Sequence, residues 1–292
     1  LVGSAVWRAL AQRGVDLVGW TSEELDLRDR DATFDAVTST RPDVIVMAAA
    51  RVGGIMANST HPVQFLNDNL RVQTNLFEAA HENDVERVLF LGSNCIYPRD
   101  AAQPIVESSL MTGPLEPTNS AYAIAKIAGI ESVRAYRAQY GRRWISAMPC
   151  NLYGPGDNFS LTSSHVLPAL IRKLSDTADR VELWGTGTPR REFLHSDDAA
   201  SAMLHLLEHY DGGDPVNVGY GEDVSIAELA QIVSDVVGFE GDIAWDTSKP
   251  DGTPRKLLDI STLRSLGWVP QIPLREGIAM TYDWYQANVS SD

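Results

Sequence analysis

Apolar residues along the chain alternate between two rhythms. Residues 1–13 carry Val2, Val6, Ala9 and Leu10 on one helical stripe, with Gly14 as its stop. A short apolar run over 15–20 has strand length, and a second helical segment over 30–40 leads to an unbroken apolar run at 44–50. Such a run, without polar alternation, predicts a parallel strand buried on both faces. A long helix over 61–83, a buried strand over 88–91, a helix ending near Tyr140 and a strand over 144–148 continue the pattern. Strands and helices alternating at this spacing predict an α/β protein built on a doubly wound parallel Rossmann sheet.

Beyond Pro155 the pattern loosens. Helices are expected over 165–174, 197–208, 226–237 and 274–288, and a strand over 181–184, separated by turns rich in Gly and Pro. The expected organisation is a dinucleotide-binding domain over 1–155 and a smaller mixed α/β substrate lobe over 156–292, with a segment near 191–220 returning to the first sheet. Ligands of such sheets bind beyond the carboxyl ends of the strands. Residues 48–54, 92–97 and 149–156 fall at those ends.

The net charge of -15 over 292 residues opposes nucleic acid as a general partner, so an anionic substrate needs a local basic cluster. Cys95 and Cys150 are the two cysteines; neither has metal-ligand spacing, and a reduced cytoplasmic setting without a metal is expected. No apolar run reaches the roughly 18 residues of a membrane span. The chain opens on Leu1 directly into a helical stretch, so residues upstream of it are expected.

Candidate chemistry centres on Tyr122 and Lys126, which at helical i, i+4 spacing face one site. A free phenol titrates near 10, and an adjacent ammonium favours its anion. With the Ser93 hydroxyl, the pair can hold and protonate a carbonyl oxygen. Cys95, two residues beyond Ser93, is aimed at the same cavity if the segment alternates as a strand. Gly3 reads as the last glycine of a Gly-rich phosphate turn. At the end of the second expected strand, Thr21 and Ser22 stand where NAD-preferring sites carry an acidic residue, which leans toward NADP.

Read singly, these residues have plainer roles. Cys95 and Cys150 suit buried small hydrophobes, His165 a helix cap, Trp184 the core, and Gly53 and Gly54 a turn. Arg191 with Glu192 suits a surface ion pair. Thr21 and Ser22 suit caps for the turn ending in Glu24 and Leu25.

The segments become specific together. They are Ala48-Ala49-Ala50-Arg51-Val52-Gly53-Gly54-Ile55, Leu91-Gly92-Ser93-Asn94-Cys95-Ile96-Tyr97-Pro98, Glu116-Pro117-Thr118-Asn119 with Tyr122-Ala123-Ile124-Ala125-Lys126, and Asn151-Leu152-Tyr153-Gly154-Pro155. Trp184-Gly185, Arg191-Glu192-Phe193-Leu194-His195 and Lys249-Pro250-Asp251-Gly252-Thr253-Pro254-Arg255-Lys256 complete the set. From Gly3 nearly to the end, the chain resembles the GDP-sugar epimerase-reductases of the extended short-chain dehydrogenase/reductase superfamily. Two departures are the absence of the phosphate-binding loop and Ser22 in place of the Arg many members carry.

The resemblance implies inversion at carbons 3 and 5 of GDP-4-keto-6-deoxy-D-mannose, then NADPH-dependent reduction at carbon 4 to GDP-L-fucose. It implies Tyr122 as proton donor, Ser93 as its partner, and Lys126 lowering the phenol's pKa and gripping the nicotinamide ribose. Cys95 is the implied base and His165 the implied acid. Implied cofactor contacts are Gly3, Ser22, Leu25, Leu91, Gly92, Ser93, Lys126, Pro149, Asn151, Leu152 and His165. Implied substrate contacts are Lys173, Trp184, Arg191 and Asp251, with Arg255 and Lys256 adding charge. A homodimer through the Tyr122 helix and its predecessor is implied too. Two alternatives stay open: a nucleotide-sugar epimerase or dehydratase that recycles its cofactor, and a non-catalytic binding protein that retains the fold.

Overall fold

The computed structural model describes residues 1–289 apart from Gln12, Thr162 and Pro250, and describes only the backbone of Ile55. Of the motif residues above, Pro250 and the Ile55 side chain therefore lie outside the described residues. In chain order the elements are α1 (Val2–Ala11), α2 (Arg30–Thr40), β1 (Val44–Met47), α3 (Ile55–Thr60), α4 (Pro62–Glu82), β2 (Arg87–Leu91), α5 (Ser120–Tyr140), β3 (Ile145–Pro149) and β4 (Asn151–Tyr153). There follow α6 (Val166–Asp176), β5 (Arg180–Trp184), β6 (Arg190–Arg191), β7 (Phe193–His195), α7 (Ser196–His209) and β8 (Val216–Val218). The last are β9 (Val224–Ser225), α8 (Ile226–Val237), β10 (Asp242–Asp246), β11 (Arg255–Lys256), α9 (Ser261–Ser265) and α10 (Leu274–Asn288).

Local chemistry sets the helix ends. Asp29 caps α2 by accepting from the Ala32 N–H at 3.1 Å, Ser225 and Glu228 form a capping box on α8, and Pro62 opens α4 where its missing N–H costs nothing. Gly141 ends α5 in the left-handed conformation at φ 68°.

Four parallel strands in the order β1-β2-β3-β8 form the main sheet. The α4–α5 pair covers one face and the α1–α7 pair the other. β2 and β3 are buried at every position, and Trp144 is fixed beneath them, stacked on Phe77 and donating its indole N–H to the Val85 carbonyl at 3.2 Å. Leu194, Met203, Val218, Leu258 and Trp268 join this first core, although they come late in the chain. A second core gathers Leu167, Ile171, Val181, Leu183, Phe193, Leu229, Val233, Ile278 and Tyr285 from α6, β5, β7, α8 and α10. Buried Asn217 on β8 bonds segments from both ends of the chain. Its side-chain N–H groups donate to the carbonyls of Ile105 and Asp259, and it accepts from the Tyr97 hydroxyl at 2.6 Å.

Two expectations fail for one reason. Residues 15–20 form no strand, and Val15, Val18 and Trp20 are exposed. The sheet ends at β1, so this run has no ladder to join, and β1, with Val44 47% exposed, is an edge rather than a strand buried on both faces. Among the described residues, no helix is long and apolar enough to cross a membrane.

Gly129 of α5 lies directly on the ring of Phe90, and a Cβ there would overlap three ring carbons. Gly129→Ala should therefore destabilise by about 1–3 kcal/mol through overpacking, although an Ala inside a helix is worth about 0.5–1 kcal/mol over Gly where space allows. Urea unfolding tests the sign: net stabilisation contradicts this packing of α5 on the sheet.

Candidate active site

The carboxyl end of β2 is where the chemistry gathers. Leu91 ends the strand, and Gly92 donates its N–H to the Ala147 carbonyl at 2.8 Å, carrying the ladder one residue further. A Cβ on Gly92 would press on the Met148 sulfur at 2.9 Å. Ser93 then caps a single 3₁₀ turn, Asn94–Ile96, its Oγ accepting from the Cys95 N–H at 3.2 Å. The expected strand-like alternation is absent here. The turn, not a pleat, sets where Cys95 points.

Tyr122 and Lys126 enter from the first two turns of α5, both buried. The Lys126 ammonium donates to the Leu91 carbonyl at 2.8 Å, 4.9 Å from the centre of the Phe90 ring and 6.0 Å from that of Tyr122. Burial lowers its pKa to about 8. Burial also raises the Tyr122 phenol, nearby Cys95 raises it further, and its hydrogen bond with Ser93 pulls it back down. A phenol lowered by an adjacent ammonium is therefore not what this arrangement shows. Desolvation is the dominant cause at the phenol. Phe65 of α4 packs edge-on against Tyr122, and it also lines an open cavity of about 480 Å³ with Arg51, Gly53, Met56 and His61.

Cys95 meets the other side of the molecule. The Lys256 ammonium lies 3.9 Å from its sulfur, and Arg191, whose pKa is lowered by burial, is raised in turn by the charge of the thiol. None of these contacts reaches His165. It caps α6 without a side-chain cap bond, exposed to solvent yet walled by enough protein to lower its pKa. Ser164, just before it, presses its carbonyl toward Gly54, where a Cβ would come within 3.3 Å.

The remaining expected contacts are spread along the carboxyl edge and into the second core's surface. Asn151 on β4 donates to the Glu192 carbonyl at 2.8 Å, with Pro149 and Leu152 beside it. Trp184, 57% exposed, is not core; Lys249 stands 5.6 Å from its ring centre. Asp251 accepts from the Thr186 N–H and hydroxyl at 2.7 and 2.9 Å, and its carboxylate fills the space a Cβ on Gly185 (φ 83°) would need. Lys173 reaches from α6 to the Glu182 carbonyl on β5 at 3.5 Å. Thr21 through Leu25 close a turn in which the Glu24 carboxylate accepts from the Thr21 N–H at 2.8 Å, leaving Ser22 exposed.

Two observations fit a dinucleotide here. The first turn of α1 lies beside the end of β1, where a Cβ on Gly3 would make ordinary contact with Ala48 at 3.6 Å, and a helix start at a strand end is where such sheets take a pyrophosphate. The buried Lys126 ammonium has three donors and one carbonyl partner, which leaves donors for ribose hydroxyls. Packing at position 3 is loose enough that an alanine would fit. Among the described residues, no group of three or more His, Cys, Asp or Glu is placed to hold a metal.

Sequence reasoning missed Glu192. Instead of a surface partner for Arg191 it is fully buried, at the one residue between β6 and β7. Its carboxylate accepts from the N–H groups of Gly221 at 2.6 Å and Leu258 at 3.1 Å. The signal available was Gly219, which leaves room for a carboxylate.

A fold with this sheet, with ligand-facing strand ends and with a buried Tyr–Lys–Ser set is that of a nucleotide-dependent epimerase or reductase. The chain belongs to the NAD dependent epimerase/dehydratase family, whose match spans residues 1–219. GDP-L-fucose synthase 1 of Arabidopsis thaliana is 53% identical over 294 residues, covering 99% of this chain and 91% of the relative. GDP-L-fucose synthase of Escherichia coli is 51% identical over 302 residues, covering 99% and 94%. Among solved structures, a GDP-mannoheptose C4 reductase from Campylobacter jejuni with NADP bound superposes with a TM-score of 0.90 at 34% identity, covering 98% of this chain and 95% of its own.

Burial holds the Glu192 carboxyl up at about 7, well above its ordinary 4.5, against the pull of its backbone N–H partners. The folded state therefore keeps a proton that the unfolded state releases, and this group's contribution to stability is lost as pH rises from about 4.5 through 7. Urea unfolding across that window should show Glu192→Gln losing less stability than the parent. Equal slopes in the two proteins contradict a buried, proton-holding carboxyl.

Proposed function

We propose that this chain is a soluble cytoplasmic enzyme converting GDP-4-keto-6-deoxy-D-mannose to GDP-L-fucose, with inversion at carbons 3 and 5 and NADPH-dependent reduction at carbon 4. One observation carries this reading: at the end of a single buried strand, a carbonyl-protonating set and a cation-flanked thiol stand two residues apart. Ser93, Tyr122 and Lys126 form the first; Cys95, beside Lys256 and Arg191, is the second. Relatives named GDP-L-fucose synthase at about half identity over nearly the whole chain support it.

The chemistry follows from one shared oxygen. Carbons 3 and 5 flank the same ketone, so a site that stabilises negative charge on its oxygen acidifies both protons. Ser93 hydrogen-bonds that oxygen and Tyr122 protonates it. Cys95 removes a proton from one face of the hexose, and His165 returns one from the other. NADPH, when bound, supplies hydride to carbon 4; Lys126 and the first turn of α1 would hold it, with Ser22, Leu25, Leu91, Gly92, Pro149, Asn151, Leu152 and His165 along the edge. Arg191, Lys173, Trp184 and Asp251 would hold the GDP portion. In this acidic chain, Arg191 supplies a charge suited to bidentate phosphate contact. A second copy would pair through α4 and α5, where Val63 and Ile124 remain exposed.

Mixing the keto sugar with enzyme should consume one NADPH per GDP-L-fucose; turnover without net NADPH loss contradicts the proposal. Tyr122→Phe should slow reduction by about 100-fold or more. Cys95→Ser should abolish solvent deuterium exchange at carbons 3 and 5 while a pre-epimerised ketone is still reduced. Exchange that survives this change removes Cys95 from the role of base.

A further inference from the structure

Arg191 and Lys256 are neighbours on a two-rung parallel ladder. β6 and β11 pair Arg190 with Arg255 and Arg191 with Lys256. Alternation sends the two rungs to opposite faces, and the two members of a rung share one face. Arg190 and Arg255 both turn to Asp223, a carboxylate only 5% exposed that bonds both guanidinium groups. Lys256 turns the other way, to Cys95, and on the same face Arg191, whose guanidinium donates to the Arg190 carbonyl at 2.8 Å, is near enough to feel the charge of the Cys95 thiolate.

So short a ladder does not fix itself. Each strand has two residues, and β6 is paired on its other side with the equally short β9. Residues 257–259 are bonded on one side to Gln103 and Ile105; on the other side, one buried side chain ties them to the residue after Arg191. Glu192 follows Arg191 directly, and its Oε2 accepts from the N–H of Leu258, two residues past Lys256. Its Oε1 accepts from the N–H of Gly221, just past β8 of the main sheet. Its own backbone carbonyl accepts from Asn151 on β4. At Gly219 any Cβ would collide with this carboxylate, so the backbone is shaped around it.

We propose that Glu192 is a positioning residue that clamps the segments bearing Arg191 and Lys256 to the main sheet and so holds both cations over Cys95. Its importance for catalysis rests on the function proposed above; the clamp itself does not. Neutralising the carboxylate leaves one oxygen to accept and places an amide donor against a backbone donor, so the segment after Lys256 loses its tie to the Arg191 segment while keeping its bonds to Gln103 and Ile105. The cations then drift from the sulfur.

Alkylation of Cys95 reads this without substrate, run at about pH 8.5 so that the Glu192 carboxyl, held up at about 7, is ionised. Iodoacetate is anionic and iodoacetamide neutral, so their rate ratio at Cys95, referred to free glutathione and located by peptide mass, reports cations near the sulfur. The parent should favour iodoacetate. Glu192→Gln should lower the ratio by about threefold or more with little change in the iodoacetamide rate. Removing a negative charge would by itself raise the ratio, so the sign separates the clamp from simple electrostatics. Glu192→Asp keeps the charge but cannot span both N–H groups, and it should lower the ratio too. General loosening would speed both reagents alike. A ratio unchanged or raised in Glu192→Gln overturns the proposal, as does a ratio kept in Glu192→Asp. A parent that alkylates as described yet turns over no keto sugar would count against the proposed reaction and leave the clamp intact.

Discussion

Beneath the Tyr122 ring, the Lys126 ammonium donates to the Leu91 carbonyl at the last residue of β2. That bond joins the start of α5 to the strand end from which Ser93 and Cys95 depart. An ammonium taken out of water is costly unless it is paired, and here one carbonyl and the Phe90 face are its partners. The phenol can stand over Ser93 only while α5 keeps this height on the sheet. Gly129, without a side chain against Phe90, lets it do so.

Burial has the same electrostatic consequence at three places around the site. It raises the Tyr122 phenol, brings Lys126 to about 8, and holds Glu192 near 7. Each shift opposes the charged form, so each group is kept nearer its neutral state than it would be in water. Groups shifted in this way cluster where proton transfer is done. The second cysteine provides a contrast: Cys150 is buried beside Glu192 and its thiol is raised well above the ordinary range, as suits an inert core sulfur.

The main alternation of helices and strands was legible because each element obeys its own period. α2, α8 and α10 begin and end where the apolar stripe and caps place them, and the Tyr122–Lys126 spacing alone set both side chains on the strand end. What could not be read were facts of pairing. Residues 15–20 have strand composition, but a strand exists only beside another, and the sheet stops at β1. Cys95 was expected to reach the site by alternation and reaches it through a 3₁₀ turn instead. Glu192 beside Arg191 looked like a surface ion pair, because sequence does not show that the chain passes from the β6 sheet to the β7 sheet at this residue and turns its carboxylate toward Gly219 and the Gly221 N–H. Lys256 became a neighbour of Cys95 only through the register of β11 on β6.

All of this bears on one proposition, that a single ketone is polarised from the α5 side while proton carriers stand above and below the sugar ring. A crystal structure with NADP and GDP-L-fucose bound measures it most directly. The hexose oxygen at carbon 4 should lie within hydrogen-bond reach of both Tyr122 and Ser93, with the Cys95 sulfur and the His165 ring on opposite faces of the ring. A sugar seated elsewhere, or with Cys95 and His165 on the same face, contradicts the account.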